Sequence, residues 1–88
     1  MSRSFSSKAR NAKQLITALR RYRKLQRLTQ HELGQSAGVP QTTVSKVEVE
    51  LIDPTLSTLF KILAALDLEL EVHPKTKQTH QWLLDQTE

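Results

Sequence analysis

The sequence predicts an all-α domain of four or five short helices, followed by a short C-terminal β-strand. Three observations predict it. Apolar residues recur at helical spacing in two separate stripes, one around Leu15–Tyr22 and one over Leu56–Leu66. Between them lie two short polar segments, punctuated by a capping pattern and a glycine turn. After the second stripe, Leu68-Glu69-Leu70-Glu71-Val72 alternates with period two, which is strand spacing.

Taken in order, residues 1–10, MSRSFSSKAR, are polar and basic and are expected to form a loose, flexible arm. A first helix starts at Asn11, with Leu15, Ala18, Leu19 and Tyr22 on its apolar stripe, Ile16 beside it, and its end near Gln26. Thr29 followed three residues later by Glu32 is a capping box. The threonine hydroxyl accepts from the Glu32 amide and the glutamate reaches back to the Thr29 amide. A short helix over about 30–37 follows, and Gly38 supplies the positive-φ turn that ends it. Pro40 starts a third helix, where its missing N–H costs little. That helix runs over about 41–48 with Val44 and Val47 inward. Two short helices meeting across a glycine turn are the helix-turn-helix signature. Asp53-Pro54-Thr55 opens a fourth helix, with Leu56, Leu59, Phe60, Leu63 and Leu66 as its apolar stripe. The strand at 68–73 has no second strand in the chain to pair with. Its unpaired backbone groups are a template for another chain, and a twofold mate is the simplest partner. Leu68, Leu70 and Val72 would line that dimer interface, with Glu69 and Glu71 outward. The expected organisation is therefore an arm over 1–10, a domain over 11–73, and a polar C-terminal tail over 74–88.

Charge is distributed unevenly. Residues 1–47 carry ten bases and one acid, Glu32, a net of +9, whereas residues 48–88 carry three bases and eight acids, a net of −5. One half suits a polyanion and the other does not. The first 30 residues lack any acid, which also fits a transit peptide, but the basic helix runs on without a break into a compact-domain pattern.

Residues 28–54, LTQHELGQSAGVPQTTVSKVEVELIDP, carry a Thr-Gln-x-Glu-Leu start, an Ala-Gly-Val turn and a Gln-x-x-Val-Ser-x-Val-Glu helix at fixed spacings. They resemble the Xre/Cro-type helix-turn-helix family, whose pattern covers roughly residues 12–67. The small size and the strand directly after the fourth helix are most similar to HipB-type antitoxins. The resemblance implies a lambda-repressor-like fold and a sequence-specific repressor of bacterial cytoplasm, associated with the nucleoid. In its narrower form it implies the antitoxin of a toxin–antitoxin operon, one that represses its own promoter and neutralises a HipA-type kinase toxin.

On that resemblance the third helix is the recognition helix in the major groove. Gln41, Thr42, Ser45 and Lys46 lie on its outward side. Glutamine pairs bidentately with adenine, lysine donates to guanine, and threonine touches a thymine methyl. Thr43 reaches backbone or base. Gln30, at the start of the second helix, holds a phosphate with help from the helix dipole, and Arg27 meets the DNA backbone. Arg23 and Glu48 match the family's ion pair between helices one and three. The expected target is an inverted-repeat operator in double-stranded DNA, bound by a homodimer. The sequence departs from the family pattern where Gly34 replaces alanine, Pro40 replaces a polar cap, and Val49-Glu50-Leu51-Ile52 replaces a turn glycine.

Trp82-Leu83-Leu84 stands in the polar tail. In HipB-type antitoxins a C-terminal tail engages the toxin, so Trp82 and Leu83 are candidate partner-binding residues, the alternative being packing on the fourth helix. Other chemistry has little support. There is no cysteine, hence no disulfide, thiolate zinc site or thiol nucleophile. His31, His73 and His80 make no metal spacing, and neither a Gly-x-Ser-x-Gly elbow nor a glycine-rich phosphate loop is present. No enzymatic activity, metal or cofactor is expected. No apolar run approaches the ~20 residues that span a membrane. The alternative function is a protein-interaction module of the same fold without specific DNA readout, binding through Leu51, Ile52 and the tail.

Overall fold

A computed structural model of the chain describes residues 7–75. Four helices follow one another: α1 (Ala12–Leu25), α2 (Gln30–Ala37), α3 (Gln41–Glu48) and α4 (Leu56–Ala65). Helix starts are set by short polar side chains. Asn11 accepts from the Gln14 amide at 2.8 Å, and Thr55 accepts from the Thr58 amide at 3.1 Å. The capping box forms in full: Glu32 N–H donates to Thr29 Oγ1 at 3.0 Å, and Thr29 N–H donates to Glu32 Oε1 at 2.8 Å. The Thr29 amide that donates to the carboxyl holds Glu32 below its ordinary pKa, with the nearby Thr29 hydroxyl as the second cause. Pro40 is the N-cap of α3, in place of the polar cap of the family pattern, and leaves that helix start without a side-chain cap, as expected.

Helix ends follow one rule. After α1, α3 and α4 the chain turns through a left-handed residue, Arg27 (φ 60°), Glu50 (φ 62°) and Asp67 (φ 60°). Each turn carries the paired hydrogen bonds of a Schellman motif. For α3 these are Glu50 N–H to Val47 O at 3.0 Å and Leu51 N–H to Lys46 O at 2.9 Å. Within Val49–Ile52, the segment that replaces the family's turn glycine, Glu50 is the residue that takes the left-handed conformation. Gly38, at φ 76°, ends α2. Gly34 is required differently: a Cβ there would stand 2.7 Å from the Val39 carbonyl oxygen, so glycine lets the α2–α3 turn close tightly on α2.

The core joins Ile16 and Leu19 of α1, Leu33 of α2, Val44 and Val47 of α3, and Leu59, Ile62, Leu63 and Leu66 from α4 and its cap. Leu33, Val44 and Leu66 are each only 1% exposed. Two stripes are rotated from the sequence expectation. In α1 the buried line runs Ile16, Leu19, Arg23, with Leu15 at its edge. In α4, Ile62 is buried, while Leu56 (70% exposed) and Phe60 (52%) point outward. The buried line of α4 is Leu59, Ile62, Leu63 and Leu66. Phe60 lies about a third of a turn from its centre, while Leu56 shares the Leu63 side but stands at the first residue of the helix, before the buried line begins.

The expected strand at 68–73 is corrected for the single chain. Among the described residues no strand forms, because no segment lies alongside to complete a ladder. Leu68 N–H instead closes the α4 cap on Leu63 O at 2.8 Å, and Leu68 packs against the core. Leu70 and Val72 are exposed. Gln26 of the α1 cap donates from Nε2 to the Leu66 carbonyl at 2.7 Å, tying the two helix ends together. Trp82, Leu83 and Leu84 lie outside the described residues.

Candidate nucleic-acid interface

Helices α2 and α3 pack on one another and present the outward side of α3 to solvent. Gln41, Thr42 and Lys46 are exposed, and Thr43 and Ser45 half-exposed. Among the described residues these five side chains make no hydrogen bond within the chain. Their donors and acceptors are free for an outside partner. Such a row of amide, hydroxyl and ammonium groups on a protruding helix has the chemistry of base-edge contact. Arg27 is exposed at the left-handed turn after α1.

The opposite end of α3 is anchored. Glu48 is its last residue, and its side chain is 5% exposed. Arg23 Nε donates to Glu48 Oε2 at 2.6 Å and Arg23 Nη2 to Oε1 at 2.9 Å, a bidentate fork between α1 and α3. Arg23 Nη1 donates to the Leu28 carbonyl at 2.7 Å, just before the α2 cap. The pair predicted from sequence is therefore brought together and extended. Gln30 Nε2 also donates to Glu48 Oε1 at 3.0 Å, and Arg20 Nε approaches the same oxygen at 3.9 Å. Burial by itself raises the Glu48 pKa. The hydrogen bonds from Arg23 and Gln30 and the charges of Arg23 and Arg20 outweigh it, so the carboxyl titrates below its ordinary value.

Gln30, expected to hold a phosphate, also sets one of its amide protons on Glu48. No sequence rule reveals a side-chain bond between residues eighteen apart. Arg20 was legible in principle, because it precedes Arg23 by three residues and shares its helix face. Among the described residues no group of His, Asp or Glu is placed to hold a metal ion, and no helix is long and apolar enough to cross a membrane.

Two packed helices, a tight turn between them and a free polar face on the second define a helix-turn-helix unit. The helix-turn-helix family model matches residues 19–73, and the chain belongs to that family. It is similar to the antitoxin HigA1 of Mycobacterium tuberculosis, 44% identical over 64 residues, covering 73% of this chain and 43% of that protein. It is also similar to the antitoxin HipB of Escherichia coli K12, 39% identical over 57 residues, covering 65% of each. A third relative is the HTH-type transcriptional regulator y4dL of Sinorhizobium fredii, 37% identical, of which the chain covers 29%. The chain thus spans less than two thirds of the length of these curated relatives. Among solved structures, a chain of a HipA-HipB-O2-O3 complex and one of a HipB-O4 20mer complex each superpose with a TM-score of 0.75. Both are 32% identical and cover 81% of this chain and 100% of theirs.

Proposed function

We propose that this chain is a sequence-specific DNA-binding repressor and the antitoxin of a toxin–antitoxin operon. It acts by binding alone, represses its own promoter, and neutralises a HipA-type kinase toxin in the bacterial cytoplasm, at the nucleoid. The observation that carries this reading is the free polar face of α3, held out by an anchored C-terminal end on a domain that superposes on HipB from operator complexes.

In this reading Gln41, Thr42, Ser45 and Lys46 contact bases, with Thr43 at the groove edge. Arg27 and Gln30 contact phosphates and set the register. Two chains pair through Leu68, Leu70 and Val72 as an antiparallel ribbon, which places two recognition helices about one DNA turn, ~34 Å, apart on an inverted repeat. Trp82 and Leu83 dock on the kinase, since aromatic anchors dominate many interfaces.

Selection of duplexes from a random pool tests the DNA reading. Enrichment of an inverted repeat that also occurs upstream of the chain's own gene is the expected result. Recovery of unenriched DNA at physiological salt would leave the protein-interaction module as the better account. Co-expression with a kinase-like neighbouring gene tests the antitoxin reading: the complex should co-purify, and truncation after Pro74 should weaken it without touching DNA binding.

A further inference from the structure

We propose that Glu48 is a positioning residue for DNA binding: beyond its pairing with Arg23, it holds the Gln30 side-chain amide in the orientation in which Gln30 meets the DNA backbone. The inference rests on the assignment of Gln30 to a phosphate.

Gln30 is the first residue of α2 and half-exposed. A glutamine there would ordinarily sample many rotamers and lose that freedom on contact with DNA. Here its Nε2 donates one proton to Glu48 Oε1 at 3.0 Å, which leaves the second amide proton for an outside acceptor. The anchor is itself held by hydrogen bonds. Both Glu48 oxygens are held by Arg23, at 2.6 and 2.9 Å, and Arg23 is pinned at 2.7 Å to the Leu28 carbonyl. The last residue of α3 thereby fixes the first residue of α2, with α1 closing the triangle. A carboxylate near a phosphate would repel it, but this one is paired with Arg23 and has Arg20 at 3.9 Å. Its charge is neutralised locally while its acceptor strength is kept, because hydrogen bonds to ionised acceptors are the stronger kind.

The test is a double-mutant cycle on DNA affinity. The whole chain and its Glu48→Gln, Gln30→Ala and double variants are titrated by anisotropy against a labelled random-sequence duplex, with thermal unfolding measured in parallel. Gln30→Ala is expected to weaken binding roughly three- to tenfold, the worth of one hydrogen bond. Glu48→Gln should weaken it by a smaller factor at a temperature where it is fully folded. The double variant should bind no worse than Gln30→Ala alone. Additive losses, or wild-type affinity for folded Glu48→Gln, would overturn the positioning role while leaving the Gln30 phosphate contact standing. No loss for Gln30→Ala would overturn both, and no binding by the unmodified chain would overturn the DNA reading itself. Should Glu48→Gln fail to fold, the Gln30 side-chain amide in ¹⁵N spectra of the unmodified chain decides. A shifted, solvent-protected amide that moves again on adding duplex supports the proposal. Random-coil shifts that ignore DNA contradict it.

Discussion

The outward faces of α3 and α4 are opposites. On α3 the exposed residues are Gln41, Thr42 and Lys46, with every side-chain polar group free. On α4 they include Leu56 and Phe60, beside the exposed Leu51 and Ile52 of the preceding loop. Both helices are short, and both bury one side in the same core. A free polar face loses nothing in water and gains from a hydrogen-bonding, charged partner such as DNA. A free apolar face gains only from being covered, so it suits a protein surface. The contrast lies in the faces and not in the net charge of the helices, which is 0 for α3 (Lys46, Glu48) and +1 for α4 (Lys61). It teaches that helical periodicity identifies a helix, while the outward residues record what each helix meets.

The largest expected effect comes from breaking the anchor that sets α3 in place. Glu48→Ala leaves Arg23 buried without its carboxylate, which for a buried pair costs about 3–5 kcal/mol. The melting temperature should fall sharply, and α3 should lose protection from amide exchange before the core end of α4 does. Near-wild-type melting would show that the fork adds little to the fold.

On the other side of the comparison, Leu70→Pro should abolish the proposed pairing of two chains, since proline removes a ladder donor. Sedimentation should show the unmodified chain as a dimer at micromolar concentration and the variant as a folded monomer with weak operator binding. A variant that stays dimeric would move the interface to the Leu56–Phe60 face of α4.

Acid sharpens the comparison further. The Glu48 carboxyl titrates lower folded than unfolded. Its stabilisation is therefore complete above the ordinary carboxylate pKa and is lost as pH falls through the lower folded value. Unfolding free energy measured from pH 7 downward should decline below about pH 5, and the decline should be shallower in Glu48→Gln. Parallel acid limbs would assign the pH dependence to other carboxylates. The smallest effect is a gain. Glu50→Gly relieves a left-handed residue, worth about 1–2 kcal/mol, against ~0.5–1 kcal/mol of added chain entropy. A rise in stability of roughly 0.5–1 kcal/mol by denaturant titration is expected.

Much of this fold was legible because local chemistry decides it. The Thr29–Glu32 box, the Gly38 turn and the bounds of α2 and α3 all follow from interactions within four residues of sequence. The Arg23–Glu48 pair was legible only through the family resemblance, since nothing local links residues twenty-five apart. What failed was rotation and pairing. The α4 stripe included Leu56 and Phe60 because periodicity alone does not separate residues facing their own core from residues facing outward. The strand over 68–73 needed a second chain that one sequence does not display. From the sequence Gly34 is legible only as a departure from the family's alanine, whereas the close Val39 carbonyl gives it a packing reason.

The central claim is that the free face of α3 reads base sequence. The most direct measurement compares Gln41→Ala with Arg27→Ala on the selected operator and on random duplex, at several salt concentrations. Gln41→Ala should lose about 1–3 kcal/mol on the operator and little on random DNA, relaxing preference at one base pair. Arg27→Ala should weaken both alike and lower the salt slope by about one. Equal losses on the two DNAs for Gln41→Ala would contradict direct readout by α3.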